Sequence, residues 1–208
     1  MKGSNAFEQH YREHFGERWA RLKEALLGPK RHVVVFGPGE VPPSDLAPLA
    51  WFPRAATLPE ARKFPDQRCY FLDAASLLPV MALAPQAGER VLDLCAAPGG
   101  KSLLLAWALG ASGELVANDR SPERRGRLKR TLDELTDPTL RPTIRVTGHD
   151  AQRWGLHEKA AYDKVLLDSP CSSERHVLED PKELATWSPK RPQRLATEQF
   201  GMLCSALE

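Results

Sequence analysis

The sequence predicts an α/β fold, a parallel sheet with crossover helices, preceded by a helical and irregular arm. Three observations predict it. In residues 90–105 a short apolar run, Val91-Leu92-Asp93-Leu94, has the length and composition of a buried strand. It breaks at Cys95-Ala96-Ala97-Pro98-Gly99-Gly100 and resumes at Lys101 as a mostly apolar helical stretch reaching Leu109. From there to Asp168, strand-like and helix-like segments alternate, which calls for parallel strands joined by right-handed crossovers. Finally, Asp119, Asp150 and Asp168 close successive strand segments, so this topology lines acids along one carboxyl edge, where open α/β sheets bind ligands. A strand, a glycine turn and a helix make a nucleotide-binding unit, because the helix N-terminus offers unpaired N–H groups and partial positive charge. The turn is not G-x-G-x-x-G, so the pattern points to an adenosine-type ligand and no further. A plain turn with two glycines is the competing reading.

Bulk properties bound the answer. A chain of 208 residues, 42% hydrophobic, buries one good core, or one core plus a small accessory region. A net charge of +2 neither requires nor excludes a nucleic-acid partner, so local charge must decide. Cys69, Cys95, Cys171 and Cys204 are scattered without a C-x-x-C pair, against a disulfide framework or zinc site and in favour of a reducing compartment. No run approaches transmembrane length. The first residues lack the apolar core of a signal peptide and carry acids too early for a transit peptide, so a cytoplasmic, metal-free protein with no membrane partner is expected, as a monomer.

The elements follow in order. Phe7, Tyr11, Phe15, Trp19, Leu22 and Leu26 fall on one helical face over residues 7–27, which Gly28-Pro29 ends. His10 and His14, at i and i+4, are two of the ligands a metal needs, but a solvated helix face is the simpler reading. Val33-Val34-Val35-Phe36 predicts a strand. The prolines that follow (Pro38, Pro42, Pro43, Pro48, Pro53, Pro59, Pro65) forbid long helices, which makes residues 30–68 an irregular arm. Cys69-Tyr70-Phe71-Leu72 reads as a turn before a short apolar helix capped by Asp73. The expected division is therefore an arm of residues 1–68 and a sheet domain of residues 69–208.

After the glycine turn, residues 113–119 form the second strand. Its terminal Asp119 falls where such folds place a carboxylate for ribose hydroxyls. Residues 121–135 form a helix with Ser121 as N-cap and Pro122 at its first position. Its Arg124, Arg125, Arg127, Lys129 and Arg130 make either a solvated face or a phosphate-tracking one. Residues 143–147 are the third strand, and Asp150 beyond it stands where an adenine amino group can be met. Residues 162–168 are the fourth strand, running into Ser169-Pro170-Cys171-Ser172. A last amphipathic helix over residues 192–207 has Lys190, Arg191 and Arg194 at its start.

Asp168-Ser169-Pro170-Cys171 puts a carboxylate and a thiol side by side in sequence at a strand's carboxyl end. A cysteine packing as a small hydrophobe is the competing reading. Beside an adenosine-type site the pair suits cytosine chemistry. C5 of cytosine is a poor nucleophile until a thiolate adds to C6, after which it takes a methyl group from a sulfonium donor. A carboxyl group beside the base can bind its N3/N4 edge, and the base must leave its stack to be reached.

The segment from Val91 to Lys101 together with Asp168-Ser-Pro-Cys-Ser172 resembles the Sun-domain family of RNA cytosine-5 methyltransferases. Residues 7–27, residues 70–80 and Cys171-Ser-Ser-Glu-Arg-His176 are similar to the branch with the mitochondrial enzymes, with Arg175 where the wider family has glycine. The resemblance covers essentially all 208 residues. It implies a Rossmann-like class I S-adenosylmethionine methyltransferase sheet and S-adenosylmethionine as cofactor. By motif match, Cys95, Ala96, Ala97, Pro98, Gly99, Gly100 and Lys101 hold the methionine end, Asp119 the ribose and Asp150 the adenine. Asp168 lies where cofactor and target base meet, and Cys171 assists product release. The implied partner is RNA, ribosomal or transfer, with Arg124, Arg125, Arg127, Lys129, Arg130, Lys190, Arg191 and Arg194 as candidate contacts.

The family's nucleophile lies in a later Thr-Cys motif, and none of the four cysteines here follows a threonine. The expectation is therefore a sheet incomplete at its C-terminus, in a chain that binds the cofactor weakly and does not methylate by itself. An exposed apolar face on the last helix and an unpaired edge on the fourth strand favour that reading over loss of the nucleophile from a complete protein. The rivals are a non-catalytic RNA-binding or ribosome-assembly module and a methyltransferase whose nucleophile is Cys171.

Overall fold

The structure is a computed structural model describing residues 2–58 and 62–208; Pro59 of the arm lies outside the described residues. In chain order the elements begin with helices α1 (Ser4–Phe15) and α2 (Arg18–Leu27), then strands β1 (His32–Phe36), β2 (Pro48–Leu49), β3 (Phe52–Thr57) and β4 (Cys69–Asp73). Next come α3 (Leu77–Leu83), β5 (Arg90–Asp93), α4 (Gly100–Leu109), β6 (Glu114–Asn118), α5 (Pro122–Leu135), β7 (Ile144–Thr147) and β8 (Lys164–Leu166). Helices α6 (Glu174–Glu179), α7 (Pro181–Thr186) and α8 (Lys190–Ala206) close the chain. Packing groups these residues into two units, Met1–Lys30 with Pro170–Gly201 and Arg31–Ser169 with Met202–Glu208. That grouping differs from the expected division at residue 68.

In the first unit the apolar stripe of residues 7–27 is split between two helices rather than carried by one. The break is at Gly16, whose φ of 56° and ψ of −135° suit a residue without Cβ. Phe7, Tyr11 and Trp19 gather with Val177 and Trp187 into a small aromatic core, with the Phe7 and Trp187 rings edge to face at 5.0 Å. Trp19 Nε1 donates to Glu8 Oε2 at 2.8 Å, so the indole is buried without an orphaned donor. His10 packs against Tyr11 and Trp187, and His14 Nδ1 donates to the His10 carbonyl at 2.8 Å. Among the described residues no group of three His, Cys, Asp or Glu stands ready for a metal. No helix among them is long and apolar enough to cross a membrane. Phe200, Leu203 and Leu207, along and just beyond α8, are exposed.

The second unit holds two sheets. The parallel one has the order β7-β6-β5-β8, with Leu92 opposite Val116 on one side and Val165 on the other. One face packs Leu103, Leu105, Leu128 and Leu132 of α4 and α5. The other packs Trp154 and Met202 against Leu92, Leu94 and Val116. Burial on both faces explains why β5 and β6 read as unbroken apolar runs.

The second sheet corrects two expectations. Residues 30–68 are not an irregular arm, and residues 69–72 are not a turn: β1 is one of two inner strands of an antiparallel sheet of order β2-β3-β1-β4. Alternate residues of β1 serve two cores. Val33 and Val35 face the main core with Leu77 and Leu103, and Val34 and Phe36 face a smaller one with Ala56 and Phe64. Prolines do exclude long helices, but they leave short strands open when, like Pro48 and Pro53, they fall where the ladder needs no donor from them.

Candidate functional site

The chain runs β5, β6, β7 outward in one direction and then returns to place β8 on the far side of β5. The order reverses between β5 and β8, and the crevice beyond the carboxyl ends of such neighbours is where doubly wound sheets take ligands. The loop after β5 and the acid after β8 flank it. There a cavity of about 240 Å³ is lined by Asp93, Cys95, Ala96, Ala97, Pro98, Gly100, Lys101 and Asp168, with Tyr70, Phe71, Leu72 and Ser76 as the opposite wall.

The loop takes its form from its residues. Gly99, at φ 116°, turns the chain into α4, and a Cβ on it would stand 3.1 Å from Thr131 Cβ. Gly100 lies under the Tyr70 ring, where an added Cβ would come within 2.6 Å of Cε1. No side chain caps the start of α4, whose first residues, Gly100 and Lys101, line the cavity. Lys101 Nζ pairs with Asp168 Oδ2 at 2.6 Å. The Cys95 thiol is pushed up to about 12, first by burial and then by Asp93 and Asp119. It is therefore a packed thiol, 3.9 Å from Met202 Sδ, and not a nucleophile at neutral pH.

Asp93 escapes sequence reasoning. It is 1% exposed. Ser102 Oγ donates to its Oδ2 at 2.6 Å, while Oδ1 has no hydrogen-bond partner. Burial, resisted by the Ser102 hydrogen bond and Lys101, raises its pKa to about 6. A carboxyl inside the apolar run Val91-Leu92-Asp93-Leu94 is the available signal, since strands do not bury charge without use for it.

Asp119 and Asp150 stand after β6 and β7, outside this cavity. Asp119 Oδ2 accepts from the Ala97 N–H at 3.3 Å, and Oδ1 from the Ser121 N–H at 2.9 Å. Asp150 caps the turn that follows it by accepting from the Gln152 N–H at 3.2 Å. Asn118, also missed by sequence reasoning, ties the strand ends together. Its amide donates to the Leu94 and His149 carbonyls and accepts from the His149 N–H at 2.8 Å.

Two of the arginines expected at RNA have internal work. Arg124 donates to the Ala97 carbonyl at 2.7 Å and lies 3.4 Å from Asp119. Arg125 donates to the carbonyls of Asp119 and Arg120, both at 2.8 Å. Arg127, Lys129 and Arg130 of α5 are all exposed. In the first unit Lys190 is exposed, Arg191 pairs with Glu183 at 2.6 Å and Arg194 with Glu198 at 2.5 Å. Cys171 is exposed there, its Sγ 3.7 Å from Ser173 Oγ.

Comparison with known proteins bears on both fold and family. The chain is 35% identical to a Danio rerio protein named tRNA (cytosine(34)-C(5))-methyltransferase, mitochondrial, over 97% of its own length and 63% of that protein's. It is 44% identical to the Bos taurus 5-cytosine rRNA methyltransferase NSUN4 over 66% of its length and 37% of that protein's. The crystal structure of NSun6 from Pyrococcus horikoshii with SFG superposes on 98% of the chain and 79% of that structure, with a TM-score of 0.74. At 17% identity that is a likeness of fold, a Rossmann-like methyltransferase sheet with an N-terminal helical region. The expected cytoplasmic placement is overturned, because relatives spanning most of this chain are named as mitochondrial proteins. Targeting segments are removable and sit outside the packed fold, so the first residues are a poor guide to compartment. Residues 80–208 match the family described as 16S rRNA methyltransferase RsmB/F, and the chain belongs to that family.

Proposed function

We propose that this chain is the cofactor-binding part of an RNA cytosine-5 methyltransferase that uses S-adenosylmethionine. The observation that carries this reading is the cavity at the switch point of the parallel sheet, where the glycine turn after β5 and Asp168 after β8 form facing walls. The wall residues suit the cofactor. A buried carboxylate oxygen without a partner, an uncapped helix start and the small side chains of Ala96 and Ala97 fit the methionine end of such a molecule. Cys95 through Lys101 would hold that end. Asp119 would accept from the ribose hydroxyls and Asp150 would meet the adenine. When bound, the cofactor supplies a methyl group on a sulfonium, electrophilic enough for an activated cytosine C5.

The chain's own residues would do the rest. Asp168, oriented by Lys101, hydrogen-bonds the N3/N4 edge of the target base, and Cys171 assists release of the methylated product. Arg127, Lys129, Arg130 and Lys190 are solvent-facing cations suited to phosphates; Arg124 and Arg125 shape the cofactor site instead. The substrate class, ribosomal or transfer RNA, follows from relatives named for each. The functional species is proposed as a monomer. Without a Thr-Cys motif in its 208 residues, the chain alone is expected not to turn over.

Labelled S-adenosylmethionine with ribosomal and transfer RNA fractions tests this, using the chain beside a form extended by the family's Thr-Cys segment. Methyl transfer to cytosine by the extended form alone is the expected result. Silence in both would favour a binding module. Robust turnover by the 208-residue chain, abolished by Cys171→Ser, would make Cys171 the nucleophile.

A further inference from the structure

The loop that carries Cys171 is held at both ends by contacts within the first unit. At one end Gln199 Nε2 on α8 donates to the Pro170 carbonyl at 2.7 Å. At the other, Ser172 Oγ donates to Glu174 Oε1, the same oxygen that accepts from Tyr11 Oη on α1 at 2.5 Å. Tyr11 is 8% exposed, and its ring belongs to the aromatic core with Phe7, Trp19 and Val177. Burial and then the Glu174 carboxylate hold its proton well above the ordinary phenol range, so the hydroxyl stays a donor. Between the two anchors Ser173 takes φ 56° and ψ 51°, a left-handed conformation that a residue with a Cβ adopts only at a cost. Cys171 Sγ lies 3.7 Å from the hydroxyl of this strained residue. A loop kept in a costly conformation relaxes when its tether is cut, and the thiol it carries moves with it. The packing of α1 uses the Tyr11 ring; the hydroxyl serves the loop.

We propose that Tyr11, acting through Glu174 and Ser172, is a positioning residue for Cys171, holding the loop in the conformation that presents its thiol for product release. This rests on the reading of Cys171 as the thiol that assists that release. It goes beyond that reading by giving α1, far away in sequence, a part in the reaction.

The first test is the rate at which iodoacetamide alkylates Cys171, read by mass spectrometry with Cys204 as the reference thiol in the same molecule. A free peptide of residues 168–175 gives the rate for an untethered loop. Cys171 of the wild-type chain is expected to react at least about threefold more slowly than the peptide. Tyr11→Phe should bring it to within about twofold of the peptide, with Cys204 unchanged. Glu174→Ala should do the same, and the double variant should go no further. Glu174→Gln, which keeps an accepting oxygen, should stay near wild type, a rescue that general loosening of the core would not show. If Tyr11→Phe does not fold, Ser172→Ala serves, since it leaves the aromatic core intact and should give the same shift. A wild-type rate equal to the peptide's, or one that Tyr11→Phe and Ser172→Ala leave unchanged, overturns the positioning role. The second test uses the form extended by the family's Thr-Cys segment. There Tyr11→Phe should slow release of methylated RNA at least about tenfold more than it slows the first methyl transfer, and Cys171→Ser should do likewise. If Cys171→Ser leaves release untouched, the reading of Cys171 falls; if only Tyr11→Phe does, the positioning role falls.

Discussion

Asp93 shows how a single side chain gives up stability for a site. Its pKa is raised from an ordinary 3.8 to about 6, chiefly by burial, so the folded state binds its proton more tightly than the unfolded state does. The stability gained from that proton is fully present below about pH 4 and is lost as pH rises through about 6. Asp93→Asn removes the ionisation, so the ligand-free variant should be more stable than wild type at about pH 7.5 by about 1–3 kcal/mol. That gain should shrink to about a third near about pH 4.5 and vanish only below about pH 4. Denaturant melts of both proteins at the two pH values check this, and a variant less stable at the higher pH would contradict it. Cys95 is the opposite case. It has the place of a reactive residue beside the cavity, but burial and two nearby acids keep it protonated. Cys95→Ser should accordingly leave the rate of thiol labelling at Cys171 unchanged, whereas Cys171→Ser should remove labelling at one of the two exposed thiols, Cys171 and Cys204, a difference read by mass spectrometry.

At the scale of elements, caps and close approaches are only partly legible in sequence. Ser121 and Pro122 announce α5, and Ser121 Oγ does accept from the Arg124 N–H at 3.3 Å. Ser121→Ala should cost about 1 kcal/mol in thermal or denaturant unfolding. Gly100 is legible as part of a turn, but its reason is not. The Tyr70 ring comes from a strand far earlier in the chain, and no local pattern reports that approach. Gly100→Ala should destabilise the chain by about 1–3 kcal/mol through overpacking, and Tyr70→Leu should recover much of that loss in the double variant. Simple additivity of the two substitutions would show that the ring is not the obstacle. The same long-range dependence hides β4 and the antiparallel sheet. Strands this short among prolines carry little signal of their own, and pairing partners set them.

At the scale of the whole molecule, each unit has its own core and its own exposed charge. In the first, Phe7 is fully buried among Tyr11, Trp19 and Trp187. Phe7→Ala should cost about 3–5 kcal/mol there, measured as early loss of protection from amide exchange in α1 and α2. In the second, replacing Arg127, Lys129 and Arg130 together by Gln should weaken RNA binding at low salt. The slope of log affinity against log salt should flatten by about 0.7–0.9 for each phosphate that is no longer neutralised. The matched triple at Arg124, Arg125 and Arg141 should instead lower the melting temperature, because those guanidiniums hold backbone carbonyls.

By itself the sequence determined the parallel sheet, the strand–turn–helix at residues 91–109, the acids at the strand ends and the family. Each of these is carried by contiguous residues whose periodicity and small side chains leave few alternatives. Only the tertiary structure decided that β1 to β4 form a second sheet, that Tyr70 and Leu72 line the cavity, and that Arg124 and Arg125 hold backbone carbonyls. It also decided that Asp93 keeps a buried oxygen unpaired. Those properties depend on which distant segments meet, and burial and hydrogen-bond satisfaction are set by that meeting rather than by the local run of residues.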